Sequence, residues 1–271
     1  MKSLTALITL FIKSNQYSLT KRQRITIFRN LFALHLKSKF YKSPGEVSHR
    51  LHSFTVHAYD YPSLINLYTE IFLKQVYLVK LKTNKPFIID CGANIGLSVL
   101  FFKKCYPESV IWAFEPNPNS FQLLEKNVIQ NQLQDVKLFN YALSSINSVV
   151  PFFVPLKKAS LNGSLLSGFS ESQEIRVETR KLSDLIKGVK VDFIKMDIEG
   201  GEVAVIQDLV NHDSLGSINE VIVEYHQKAS PIQLNEFLNH FNNWKFAYQV
   251  VSEDVERNVI LHFYQDSGIL K

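Results

Sequence analysis

The stretch FIIDCGANIGLSVLFF, residues 87–102, carries the pattern from which the fold can be read. Phe87, Ile88 and Ile89 form a short apolar run, as in a parallel strand buried on both faces, and it stops at Asp90. A turn containing Gly92 and Gly96 follows. From Asn94 to Cys105, Ile95, Leu97, Val99, Leu100, Phe101 and Phe102 are dense enough for a helix packed on a sheet. Strand, glycine turn and helix together form the opening unit of an open α/β sheet.

The same alternation extends in both directions. Residues 110–114 read as a second strand ending at Glu115, and Asn117-Pro118 supplies an N-cap and first-turn proline for a helix to about residue 131. A third strand is expected over 136–141. A fourth, over 191–196, ends at Asp197, and Gly200-Gly201-Glu202 leads into a helix. A fifth, over 221–223, ends at Glu224-Tyr225-His226. Residues 246–251 and 259–264 read as a closing hairpin, and 145–180 as a hairpin plus loop. Upstream, Leu64, Tyr68, Ile71, Phe72, Val76 and Tyr77 mark a segment packed on the main domain, and residues 1–60 read as helical and basic. Strands alternating with helices predict a doubly wound parallel sheet covered on both faces. Ligands of such sheets bind beyond the carboxyl ends of the strands. Here those ends hold Asp90, Glu115, residues 140–142, Asp197 and His226.

Two cofactors suit a strand, glycine turn and helix with an acid ending the next strand. The Glu115 carboxylate can accept both hydroxyls of an adenosine ribose in either case. The first turn separates them. A dinucleotide wants Gly-x-Gly-x-x-Gly and places its pyrophosphate on the helix N-terminus. Here Asn94 stands where the second glycine would be, and Asp90 would repel the pyrophosphate. S-adenosylmethionine carries a sulfonium and an ammonium group, so Asp90 becomes an attractive partner, directly or through water. Gly92 and Gly96 let the backbone approach the cofactor and the helix pack on the strand. Asn140 and Ala142, at the third strand end, lie where an adenine would rest.

At these residues the chain resembles the FkbM family of methyltransferases. The matching stretches are residues 87–102, IWAFEPNPNSFQLLEKNVIQN (111–131) and VDFIKMDIEGGE (191–202), with Tyr68-x-Glu70-Ile71-Phe72 upstream. The resemblance covers roughly residues 60–230. It implies a Rossmann-like class I methyltransferase fold, a seven-stranded sheet with the last strand antiparallel. It also implies O-methylation, often of sugars in glycans, exopolysaccharides or natural products. Carried over, Asp90, Gly92, Asn94 and Gly96 form the cofactor turn. Glu115 of the Phe-Glu-Pro motif, with Pro116, holds the ribose. Lys195, Asp197 and Glu199 occupy the fourth-strand motif. The expected division is a basic helical extension over 1–60 and a methyltransferase domain over 61–271.

In-line methyl transfer depends on aligning the acceptor oxygen with the methyl–sulfur bond. A sugar hydroxyl is weakly acidic, so a positioned base helps. Asp197 is the preferred candidate, next to the reactive end of the cofactor, and Glu199 and His226 are further ones. Lys195 alternates with Asp197 on one strand face, where it can bond substrate or pair with an acid such as Glu224. Glu199 and Glu202 also suit a helix start for purely electrostatic reasons. A divalent cation on Asp197, Glu199 and His226 is a further reading, because oxygen-rich sites suit magnesium. The sequence fixes no geometry for it, and no metal is assigned. The stretch 145–180, which contains Ser160-Leu161-Asn162-Gly163-Ser164, could lid the acceptor site or be an edge insertion.

At 46% hydrophobic and 20% charged, the 271-residue chain has an ordinary globular composition, which excludes a disordered or fibrous protein. Residues 1–50 hold ten Lys/Arg against Glu46 alone; the whole chain is only +5, so the remainder is net acidic. That asymmetry suits an anionic partner, and peripheral membrane contact through residues 1–50 is one reading. The run 4–12 lacks a signal-peptide cleavage site, ends at Lys13 and is too short to span a bilayer. Cys91 and Cys105 are expected to lie roughly 15–20 Å apart, too far for a bridge. Reduced thiols point to a cytoplasmic protein.

The acceptor read here is a sugar, glycan or glycolipid hydroxyl. Three alternatives stay open: an RNA methyltransferase that holds phosphate with the basic arm, a dinucleotide-dependent oxidoreductase, and a non-catalytic scaffold. Nucleic acid is not the expected partner, because the arm lacks interleaved aromatics.

Overall fold

The computed structural model describes residues 19–41, 45–155, 172–254 and 258–265. The first helix, α1 (Lys21–Phe40), starts at a capping box. Thr20 Oγ1 accepts from Gln23 N at 3.3 Å, and Gln23 Oε1 accepts from Thr20 N at 2.8 Å. Ile27, Leu31 and Leu34 line its buried face, while Ile25, Phe32, Leu36 and Phe40 stay exposed. The helical reading of residues 1–60 fits 21–40 but not 47–58. There β1 (Val47–Leu51) and β2 (Phe54–Ala58) pair antiparallel around His52, whose φ is +54°. The buried positions Val47, Leu51, Val56 and Ala58 follow the strand period of two. The runs are short and interrupted by histidine and arginine, which is why a reading based on charge missed them. The apolar run 4–12 and the stretch 160–164 lie outside the described residues.

Helix α2 (Tyr61–Tyr68) begins at Asp60, whose Oδ1 accepts from Ser63 N at 2.7 Å. It runs on into a π-helical turn, Thr69–Leu73, closed by Lys74 N donating to Thr69 O at 2.9 Å. The alternating part of the chain then opens: β3 (Phe87–Cys91), α3 (Leu97–Cys105), β4 (Val110–Phe114), α4 (Pro118–Gln130) and β5 (Val136–Phe139). Next, β6 (Ala142–Leu143), β7 (Ser148–Pro155) and β8 (Ser172–Arg180) form a separate three-stranded sheet, in which β7 and β8 are the hairpin expected over 145–180. After α5 (Leu182–Leu185) come β9 (Val191–Met196), α6 (Glu202–Asn211), β10 (Ile218–His226), α7 (Leu234–Asn239), β11 (Phe246–Asp254) and β12 (Asn258–Gln265).

The main sheet has seven strands in the order β11-β12-β10-β9-β3-β4-β5. Strands β3, β4, β5, β9 and β10 are parallel; the last strand, β12, runs antiparallel between β10 and β11. The chain enters in the middle at β3, builds outward through β4 and β5, then crosses over to β9. The switch point therefore lies between β3 and β9, where a crevice opens beyond the carboxyl ends. Ile88 and Ile89 are both fully buried and belong to apolar clusters on opposite faces of the sheet. One cluster holds α1, α2 and α3; the other holds α6 and α7.

Helix α4 joins the N-terminal hairpin to the sheet by imitating a strand. Asn127 Oδ1 accepts from His57 N at 2.7 Å and Asn131 Oδ1 from Thr55 N at 2.8 Å, and both amides donate back to the same residues' carbonyls. Four residues of helix advance about 6 Å, nearly the rise of two strand residues. The two asparagines thus cover the β2 edge in register. Asn127 Nδ2 also donates to Ile95 O at 2.7 Å, which reaches the β3–α3 turn.

In that turn Gly92 (φ +81°) and Gly96 (φ +86°) are both left-handed, but they differ in surroundings. A Cβ on Gly92 would lie 1.9 Å from the backbone oxygen of Asp197, whereas one on Gly96 would meet the side-chain end of Leu124, Cδ1, at 2.6 Å. Gly92→Ala is expected to cost more than about 3 kcal/mol, and Gly96→Ala about 1–2 kcal/mol from its conformation. Denaturant unfolding of the two variants checks the order; equal losses would show that conformation alone decides.

Candidate active site

The β3–α3 turn uses up its own donors. Gly92 N and Ala93 N donate to Phe114 O at 3.0 and 2.9 Å, and Gly96 N donates to Ala93 O at 2.8 Å. Asn94 N donates to Glu115 Oε2, and Ile95 N to Asn94 Oδ1, each at 2.8 Å. Asn94 holds φ +52°, a conformation that asparagine tolerates. From Gly92 to Gly96 every amide has an acceptor within the protein, so this turn does not form the anion cradle that a pyrophosphate requires. Gly92 also proves necessary for a reason other than cofactor approach: the end of β9 passes against it.

Glu115 follows β4 and is buried. Its Oε1 accepts from Asn117 N and its Oε2 from Asn94 N, both at 2.8 Å, so one carboxylate ties two strand-end turns together. Burial, outweighing these bonds, pushes Glu115 up to about 7. Each oxygen keeps a further lone pair to offer. Asn140 Nδ2 donates to Glu115 O at 2.8 Å and braces this end from β5. Glu115, Gly92, Asn94, Pro116 and Ala142 line one part of a cavity of about 480 Å³; Asp197, Glu199, Glu224, Glu70 and Lys74 line another.

Asp90 does not face this cavity, contrary to the expectation of a cofactor contact. It is fully buried, 3.2 Å from Lys195 Nζ, and it accepts from Ser98 Oγ at 2.5 Å. The reason is register: Asp90 and Lys195 are direct lateral neighbours on β3 and β9. Lys195 also donates to Gly92 O at 2.6 Å and Cys91 O at 3.3 Å, and its ammonium stands 5.3 Å from the centre of the Tyr77 ring. With its hydrogens directed inward, Lys195 holds the turn and does not line the cavity. Burial lowers the Lys195 ammonium, but Asp90 and Asp197 outweigh it and push it up to about 12.

Asp197, Glu199 and His226 do come together. His226 Nε2 lies 3.3 Å from Glu199 Oε2 and 3.8 Å from Asp197 Oδ1. On the other side of the ring, His226 Nδ1 donates to Glu202 Oε1 at 2.9 Å. Glu202 is fully buried at the start of α6, and the same oxygen accepts from Ile198 N and Gly200 N at 3.2 Å. Burial and the nearby Asp197 push Glu199 up to about 7 and Glu224 up to about 8. Burial pulls His226 down, yet Glu202, Asp197 and Glu199 prevail and hold it at about 10. Tyr77, read from the sequence only as a packing residue, donates its hydroxyl to Asp197 Oδ2 at 3.2 Å and Glu224 Oε2 at 3.4 Å. Glu70 comes from the π-helical turn and Lys74 caps it; the Tyr68–Phe72 stretch was the sequence signal for Glu70, and Lys74 had none.

A sheet of this order, with buried acids at its strand ends and a first turn whose amides are already bonded, defines a class I S-adenosylmethionine-dependent methyltransferase. The chain belongs to the Methyltransferase FkbM domain family, whose profile matches residues 90–248. Methyltransferase sdnD of Sordaria araneosa is 30% identical over 190 residues, covering 58% of this chain and 73% of that protein. Hexuronic acid methyltransferase AglP of Haloferax volcanii is 29% identical over 153 residues, covering 55% of this chain and 60% of that one. The crystal structure of Methyltransferase FkbM from Methylobacillus flagellatus KT superposes with a TM-score of 0.51 at 15% identity. It covers 97% of this chain and 60% of its own, and this likeness bears on fold alone.

Lys195→Met should leave Asp90 buried without its cation and cost about 3–5 kcal/mol, while adding Asp90→Leu should recover most of the loss. Urea unfolding of both variants measures this. A single variant as stable as the parent would show that the pair is not what holds β3 to β9.

Proposed function

We propose that the chain transfers a methyl group from S-adenosylmethionine to a hydroxyl of a sugar, glycan or glycolipid. The carboxylate-lined cavity beyond β3, β4 and β9 carries this reading. When bound, S-adenosylmethionine supplies a methyl group activated on a sulfonium. Glu115, with acceptor capacity left on both oxygens, takes the ribose hydroxyls, Pro116 and Ala142 frame the base, and Asn140, which does not line the cavity, braces Glu115. Asp90 contributes from behind the turn, by fixing Lys195 and through it the carbonyls of Cys91 and Gly92. At the other end, Asp197, Glu199 and Glu224 are acceptors that match the donors of a polyol. Asp197 takes the departing proton on Oδ2, the oxygen that the Tyr77 hydroxyl steadies.

The same carboxylates oppose a nucleic-acid backbone inside the cavity, which disfavours RNA as acceptor; the bonded turn amides disfavour a dinucleotide. The kinship with a hexuronic acid methyltransferase is consistent with a sugar acceptor. Calorimetry should show micromolar S-adenosylhomocysteine binding that weakens in Glu115→Ala, with no NADH binding. Transfer of labelled methyl to sugar glycosides should fall about 10²–10⁴-fold in Asp197→Asn, with S-adenosylhomocysteine binding kept. No binding by the folded parent would remove the basis for this reading.

No helix among the described residues is long and apolar enough to cross a membrane. Both cysteines are free. The exposed Ile25, Phe32, Leu36 and Phe40 of α1 share a helix with Lys and Arg but no acid. This combination suits peripheral docking on an anionic bilayer. The chain should sediment with phosphatidylglycerol vesicles and not with phosphatidylcholine ones, with binding lost in Phe32→Ser/Phe40→Ser. Equal sedimentation of parent and variant would overturn it.

A further inference from the structure

We infer that Asp197, Glu199 and His226 form a divalent-cation site of the magnesium or manganese class at the acceptor end of the cavity. The inference rests on the methyltransferase reading for its place in the reaction, and on geometry for its existence. One ligand atom from each residue lies within 4.8 Å of the other two. The two measured separations from His226 Nε2, 3.3 and 3.8 Å, are close to the roughly 3 Å between adjacent ligands of a six-coordinate ion with bonds near 2.1 Å. Small side-chain rotations close the difference.

The orientation of His226 is the second, independent observation. The ring is buried, and Glu202 takes its Nδ1–H, so the ring's other nitrogen is aimed at the two carboxylates. A carboxylate behind a histidine, itself held by backbone amides, is the outer-shell arrangement that fixes a metal-ligating imidazole. Coordination at Nε2 takes the place of a proton there. The nearest buried ammonium, on Lys195, is directed to Asp90 and two backbone carbonyls and stands 3.9 Å from Asp197. Three protein ligands leave positions on the ion for water and for acceptor hydroxyls. A pair of neighbouring sugar oxygens meets that requirement, so the cation would select a diol over an isolated hydroxyl.

The test is a titration of the full chain with Mn²⁺ alone, followed by loss of the free-ion electron paramagnetic resonance signal. One saturable site per chain is expected, displaced by excess Mg²⁺. Glu199→Gln and Glu202→Gln should each weaken it by about tenfold or more, in variants whose circular dichroism and S-adenosylhomocysteine binding match the parent. His226→Gln serves as a third variant if either fails to fold. Absence of a saturable Mn²⁺ site in protein that binds S-adenosylhomocysteine would overturn the cation site and leave the methyltransferase reading standing. Mn²⁺ binding that survives Glu199→Gln would likewise overturn it. A Mn²⁺ site in protein that ignores S-adenosylhomocysteine would keep the site and remove its assigned place in methyl transfer.

Discussion

Between β3 and β9 a buried ammonium meets a buried carboxylate, and much of the site is arranged around that contact. Lys195 and Asp90 are lateral neighbours in a parallel ladder, so the pair is set by register. Two charges withdrawn from water gain little from each other unless their remaining hydrogen-bonding capacity is met. Here the carbonyls of Cys91 and Gly92 serve the ammonium, while Ser98 serves one oxygen of Asp90 and the other faces Lys195 as an ion pair alone. The Gly92 carbonyl opens the β3–α3 turn, so the ion pair holds this turn as well as the two strands.

A second anchor works in the same manner across the crevice. Glu202 sits at the start of α6, where a carboxylate is favoured by the helix dipole, and one of its oxygens collects two backbone amides and the His226 imidazole. The turn that carries Asp197 and Glu199 is thereby joined to the end of β10. Tyr77 adds a third link, from the segment before β3, to Asp197 and Glu224. Several carboxylates accumulate in one place because neighbours hold them: Tyr77 both Asp197 and Glu224, Asn258 also Glu224, and His226 both Glu199 and Glu202. Their mutual repulsion and burial show in the raised titration of Glu199 and Glu224.

The parts of this design that were legible in the sequence are those written in local pattern. Apolar runs ending in an acid gave β3, β4 and β9, because a strand buried on both faces needs continuous hydrophobicity. Proximity across the sheet was less legible. Asp90 was recognised as a strand-end acid, but its partner lies more than a hundred positions away, and only register reveals that the two charges face each other. Glu70, Lys74 and Tyr77 were hidden differently. Glu70 lies on a π-turn, which no simple period announces, Lys74 caps it, and Tyr77 sits in the turn that follows, where apolar spacing signals only packing. The hairpin over 47–58 was lost because its alternation is short and its histidines and arginine read as surface.

The close approach of β9 to the first turn decides how the two halves of the reaction are held. Asp197 N donates to Cys91 O at 3.1 Å, and the Asp197 carbonyl packs where Gly92 has no side chain. The residue read as base and the turn read as cofactor-binding are therefore parts of one rigid backbone junction. Methyl transfer demands alignment of oxygen, carbon and sulfur in a line, and alignment is lost with displacements of about 1 Å. A flexible loop between the two elements would have to be ordered again in each turnover. The absence of a side chain at Gly92 removes that need, because it lets two strand ends touch and fixes the residue proposed as base relative to the turn proposed to hold the methyl donor.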